Sequence, residues 1–155
     1  MPLQPKTKAP LFTTTNQYGE KFSLKDVLGT NIVLYFYPKD DTETCTKQAC
    51  ELRDNMQRIT AYNAVVIGVS PDDEHSHQKF INKYDLNFTL ITDTTTKLCN
   101  KYDVWQEKTL YGRTYMGVER TTYLINKKGM ITHTFEKVRV KGHVDAIIEA
   151  LKESQ

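Results

Sequence analysis

Only three cysteines occur in this chain of 155 residues, an odd number and too few to staple a small secreted fold. No apolar run approaches the roughly 20 residues that cross a bilayer. The opening stretch, Met1-Pro-Leu-Gln-Pro-Lys-Thr-Lys8, lacks the apolar centre of a secretory signal. Positive charge is not concentrated either. Lys and Arg number 21 against 19 Asp and Glu, with both signs interspersed, so no nucleic-acid partner is implied. Seven glycines and five prolines, all scattered, exclude fibrous and low-complexity designs. What is left is one globular domain over 1–155, with 1–10 as an extended lead-in and enough apolar residues for a real core. The expected setting is cytoplasmic and reducing, where neighbouring thiols are more often catalytic, redox-sensing or metal-binding than structural.

The hydrophobic pattern places the elements. Residues 12–23 read as a small hairpin turning at Tyr18-Gly19, and Ser23 caps a short turn that ends before Gly29. Asn31-Ile-Val-Leu-Tyr-Phe-Tyr37 is a continuous apolar run, the pattern of a central strand buried on both faces. A helix is predicted from Thr42 to about Ala61, because Cys45, Ala49, Leu52, Met56 and Ile59 recur at steps of four and three. A second buried strand covers 64–70. Pro71-Asp-Asp-Glu74 opens a helix to about Tyr84, with acidic residues at the positive end of its dipole. A short strand follows at 88–91 and a short helix at 95–102. Residues 121–135 form a hairpin about the Asn126–Gly129 turn, and a last helix runs from His143 to about Lys152. This order predicts an α/β, thioredoxin-like fold: a central mixed sheet with helices on both faces and an N-terminal β-hairpin.

Two of the cysteines, Cys45 and Cys50, stand five residues apart where the central strand feeds a helix. Unpaired backbone N–H groups and a partial positive charge at a helix N-terminus favour thiolate over thiol. With Thr42 as N-cap, Cys45 takes the third helical position and Cys50 lies beyond the first turn. The Thr42 hydroxyl is then expected near the Cys45 sulfur or near whatever that sulfur attacks, and Pro38 keeps the strand-to-helix connection rigid. Asp40 and Asp41 oppose a thiolate, so a further cation is required. Five residues of ideal helix separate two Cα atoms by about 8.6 Å, whereas a disulfide needs roughly 4.4–6.8 Å. Any bond between the pair therefore demands local unwinding. The residues alone leave two readings open: a reactive redox thiol at Cys45, or two thiols that only pack.

The string Tyr35-Phe-Tyr-Pro38-Lys-Asp-Asp-Thr42-x-x-Cys45-x-x-x-x-Cys50-x-x-Arg53-Asp54 resembles the peroxiredoxins. Within them it is most similar to the bacterioferritin comigratory protein, or peroxiredoxin Q, subfamily. Asn87–Asp93, Tyr102–Trp105 and Val118–Ile125 are similar to further family segments, so the likeness runs along nearly the whole chain. The resemblance implies a thiol-specific, thioredoxin-dependent peroxidase that reduces hydrogen peroxide and organic hydroperoxides and serves antioxidant defence. On that reading Cys45 is the peroxidatic cysteine and Cys50 the resolving one, joined in a redox disulfide. Thr42 orients the peroxide, Pro38 shields the sulfur, and Arg120 is the required cation. The family commonly has Pro-Gly where this chain has Glu43-Thr44. No metal or organic cofactor is implied, the reductant is thioredoxin or a similar dithiol, and the molecule is a monomer without membrane or nucleic-acid partners.

Two other functions compete: a thiol sensor whose oxidation changes partners, and a metal site built from Cys45, Cys50, Cys99 and a histidine. The second lacks the usual Cys-x-x-Cys spacing. Cys99 is expected to pack. His75 and His77 point some 200° apart on a helix, which argues against a shared metal. His133 and His143 receive no function, and Arg113 and Arg139 match no motif.

Overall fold

A computed structural model describes residues 2–154. Strands β1 (Thr13–Thr15) and β2 (Lys21–Ser23) pair as the N-terminal hairpin, and one 3-10 turn follows at Leu24–Val27. The central strand β3 (Asn31–Phe36) is buried at all six positions. After it come α1 (Glu43–Asp54), α2 (Met56–Thr60), β4 (Ala64–Ser70), α3 (Glu74–Tyr84), β5 (Thr89–Thr92) and α4 (Lys97–Lys101). The chain then forms β6 (Trp105–Leu110), β7 (Arg113–Val118), β8 (Thr121–Ile125), β9 (Ile131–Phe135) and α5 (His143–Glu153).

The main sheet has the order β5-β4-β3-β8-β9. Strand β3 runs parallel to β4 and antiparallel to β8, so the sheet is mixed, as its sequence pattern predicts. Alternation along β3 divides two cores. Val33, Tyr35 and Tyr37 face one layer with Ala49, Leu52, Ile59, Phe80 and Ile147 from α1, α2, α3 and α5. Ile32, Leu34 and Phe36 face the other with Leu98, Cys99, Tyr102 and Val118. Each fully buried aliphatic or aromatic side chain contributes about 1.5–3 kcal/mol of transfer free energy, so both faces of β3 are strongly specified.

Two expectations need correction. The helix predicted over 42–61 is two helices, interrupted at Asn55 (φ −110°, ψ 12°). The Asn55 side chain donates to the Glu51 carbonyl at 2.8 Å, competing with the backbone ladder there. The second difference is the β6–β7 hairpin, an antiparallel ribbon with no counterpart in the sequence reading. Its strands are mostly exposed and lack an apolar face. The signal was its turn: Tyr111 (φ 52°) and Gly112 (φ 77°) are both left-handed, as a two-residue primed turn requires.

Candidate active site

The end of β3 sets the geometry. Phe36 pairs with Thr121 across the antiparallel ladder, so the residue before Thr121, Arg120, arrives beside the loop that leaves β3. Pro38, half-buried, begins that loop. Thr42 is the N-cap of α1, in extended conformation (φ −92°, ψ 158°), and Cys45 occupies the third helical position. The helix buries Cys45, Gln48, Ala49 and Leu52 on its inner side.

Cys45 is 2% exposed. The Arg120 guanidinium forks over it: Nη2 donates to Cys45 Sγ at 3.3 Å, and Nη1 donates to Gln48 Oε1 at 2.6 Å. A planar fork of fixed donors suits this double contact better than a lysine ammonium does. The Arg120 carbonyl accepts from Val138 N–H at 2.9 Å, which fixes the backbone on the far side. Cys50 is half-buried on the same helix, and all three cysteines are free thiols.

The Thr42 hydroxyl donates to the Lys39 carbonyl at 2.9 Å, bracing the loop just ahead of α1. Asp40 and Asp41 differ from expectation. Asp40 is buried and turned inward, accepting from Tyr37 Oη at 2.6 Å and Ser76 Oγ at 2.8 Å, with His77 Nδ1 at 2.7 Å. Asp41 pairs with Lys83 Nζ at 2.9 Å and Tyr84 Oη at 2.8 Å. Both carboxylates have their own partners, so Arg120 is not consumed in offsetting them.

Three participants escaped the sequence reading. Gln48 supplies the acceptor that orients Arg120. Its Nε2, like the hydroxyl of Tyr35, is buried without a hydrogen-bond partner. Burial, reinforced by Cys45 and Asp40, pushes the Tyr35 hydroxyl well above the usual phenol range, so it stays a neutral donor. His143, bonded to Thr122 Oγ1 at 2.9 Å, is pushed down to about 4 by burial and by Arg120. It is neutral at physiological pH and adds no second positive charge beside Arg120.

Cys99 lies in the opposite core layer from Cys45. Burial, then its hydrogen bond to Asp93, raises its thiol far above the ordinary range. This placement separates it from Cys45 and Cys50 and removes the basis for a three-cysteine metal site. His75 is exposed and His77 fully buried, so the two imidazoles do diverge. Among the described residues, no three His, Cys, Asp or Glu side chains converge as metal ligands, and no helix is long and apolar enough to cross a membrane.

A helix-borne buried thiol under an arginine fork, on a thioredoxin-like sheet, defines a class. Residues 5–134 match the model of the AhpC/TSA family, and the chain belongs to that family. Relatives narrow the group. The peroxiredoxin Bcp of Bacillus subtilis is 44% identical over 146 residues, covering 94% of this chain and 93% of the relative. That of Escherichia coli is 40% identical over 152 residues, covering 98% and 97%. A solved structure of Xanthomonas campestris peroxiredoxin Q superposes with a TM-score of 0.89 at 32% identity, covering 96% of this chain and 98% of that one. The bacterioferritin comigratory, or peroxiredoxin Q, subfamily is thus the one that this chain resembles.

Proposed function

We propose that this protein is a thiol peroxidase whose Cys45 thiolate reduces hydrogen peroxide and organic hydroperoxides. The observation that carries the reading is the 3.3 Å contact from Arg120 Nη2 to the buried Cys45 sulfur at the third position of α1. The sulfur attacks one peroxide oxygen in line. The O–O bond breaks, the distal oxygen leaves as water or alcohol after taking a proton, and Cys45 becomes a sulfenic acid. Arg120 and the first-turn backbone N–H groups stabilise charge on the transferring oxygens. Thr42 orients the peroxide, and the half-buried Pro38 limits water at the sulfur.

Cys50 then attacks the sulfenic sulfur, forming the Cys45–Cys50 disulfide and releasing water. A dithiol reductant, thioredoxin by class, restores both thiols through a mixed disulfide. The enzyme works as a monomer in a reducing, cytoplasmic compartment. The test is peptide mass mapping of reduced protein before and after one equivalent of hydrogen peroxide, with free thiols alkylated after denaturation. The expected product is a Cys45–Cys50 disulfide with Cys99 still alkylated. Sulfinic Cys45 alone, or a bond to Cys99, would remove the resolving role of Cys50. Three unreacted thiols would overturn the peroxidase reading.

A further inference from the structure

The loop that carries Thr42 to α1 is held from below by a buried pair, Asp40 and His77, whose atoms do not touch the sulfur. His77 is 0% exposed and Asp40 7%. Both imidazole nitrogens face acceptors: Nδ1 lies 2.7 Å from Asp40 Oδ2, and Nε2 lies 2.9 Å from the Ile91 carbonyl. Asp40 also receives the hydroxyls of Tyr37 and Ser76. Ring and carboxyl thus form one buried network with both imidazole nitrogens engaged.

The pair ties three distant parts of the chain together. Asp40 belongs to the loop after β3, His77 to the first half of α3, and Ile91 to β5. The Asp40 backbone N–H adds a bond to Asp72 Oδ2 at 2.8 Å, on the turn that opens α3. Asp41, next in the loop, holds a left-handed backbone (φ 58°), an unfavourable state for a residue with a side chain. It too is bound to α3, through Lys83 and Tyr84. Helix α3 thus acts as a rail to which the loop is pinned just ahead of Thr42.

We propose that His77 is a positioning residue for the peroxide-reducing step: through Asp40 it fixes the 38–42 loop, and so sets where Thr42 and the first turn of α1 meet the Cys45 sulfur. This rests on the reading of Cys45 as the attacking thiol. The same pinning fixes the end at which unwinding of α1 stops, since residues up to Asp41 stay bound to α3 while the helix opens. The first step needs the loop in place; the second needs only α1 to open. A loosened loop therefore slows one step and leaves the other.

The test is to follow the two steps separately, as loss of the Cys45 thiol and gain of the Cys45–Cys50 disulfide after mixing with hydrogen peroxide. His77→Asn is expected to slow Cys45 oxidation about 10- to 100-fold, the scale of a small misplacement near reacting atoms. Disulfide formation from the sulfenic acid should change less than about twofold. Asp40→Asn is the conservative variant: its amide donates to His77 Nδ1 and accepts from Tyr37, and oxidation should stay within about threefold of the parent. Should His77→Asn fail to fold, the double variant Asp40→Ala/His77→Phe removes the pair without stranding a charge, with the same expected slowing. Parental oxidation kinetics in a folded His77 variant, equal slowing of both steps, or Asp40→Asn as slow as His77→Asn would overturn the proposal. Cys45→Ser reads the underlying assignment independently. If that variant still consumed peroxide at the parental rate, the reading of Cys45 would fall whatever the His77 variants showed.

Discussion

The cost of opening α1 is adjustable from the outside of the helix. Cys45 and Cys50 sit in one unbroken helix, about 8.6 Å apart at Cα by ideal geometry. A disulfide tolerates roughly 4.4–6.8 Å, so bond formation follows unwinding of the first turns. Thr44 is exposed and Thr46 half-buried, and neither belongs to the core clusters. Threonine in a helix interior is about 0.6 kcal/mol less favourable than alanine, with less effect in the first turn. Replacing both with alanine should thus stabilise the closed helix by about 1 kcal/mol. At roughly 1.4 kcal/mol per factor of ten, the open population falls about fivefold, and the Cys45–Cys50 disulfide should form about fivefold more slowly. The first oxidation, which uses the closed helix, should stay within about twofold. The sulfenic acid then waits longer, so more Cys45 should reach the sulfinic state at high peroxide. Timed quenching with an alkylating reagent and peptide mass analysis reads all three. The melting temperature supplies an internal check, since about 1 kcal/mol raises it by about 2–4 °C in a chain of this size. A higher melting temperature with unchanged or faster disulfide formation would refute the coupling of resolution to helix opening.

Arg120→Met removes a charge-assisted donor worth about 1.5–3 kcal/mol and strands Gln48 Oε1. Cys45 oxidation should fall about 10- to 100-fold in rapid-mixing measurements, with Arg120→Lys recovering part of it; parental kinetics in Arg120→Met would dismiss the arginine's role. His143, held at about 4 against an ordinary 6.5, binds fewer protons folded than unfolded. Its contribution is therefore present above pH 6.5 and is lost as pH falls toward 4, about 3 kcal/mol in all. Urea unfolding at pH 7 and pH 4.5 should show a smaller loss for His143→Asn than for the parent, and an equal loss would contradict the assignment. Cys99, raised by burial and by Asp93, should resist alkylation in the native state, and Cys99→Ala should leave both oxidation steps unchanged; a Cys99 disulfide in peroxide-treated parent would show otherwise.

Local pattern carried much of the architecture. The apolar run at 31–37 is buried at every position, because only a central strand with both faces covered can use such a run. The helical repeat of Cys45, Ala49 and Leu52 marked the buried side of α1, and Thr42 as N-cap placed Cys45 at the third position, where the structure has it. Periodicity failed where burial is not what fixes the conformation. Asn55 breaks a helix that its apolar neighbours Met56 and Ile59 seemed to continue. The β6–β7 ribbon stands mostly in solvent, and only its Tyr111-Gly112 turn identifies it.

By itself, then, the sequence determined most of the elements, the nucleophile candidate and its place in the first turn of a helix, since these depend on residues within a few positions of one another. Likeness to a family pointed to Arg120, which no local pattern distinguishes from Arg113 or Arg139. The tertiary structure alone decided which charges meet. It brings Arg120 to Cys45 across 75 residues and gives the guanidinium its second anchor on Gln48. It joins Asp40 to His77, 37 residues further on. Side chains that far apart are joined only by strand pairing and layer packing. The electrostatic balance around the thiol is therefore a property of the folded sheet and not of the motif that contains it.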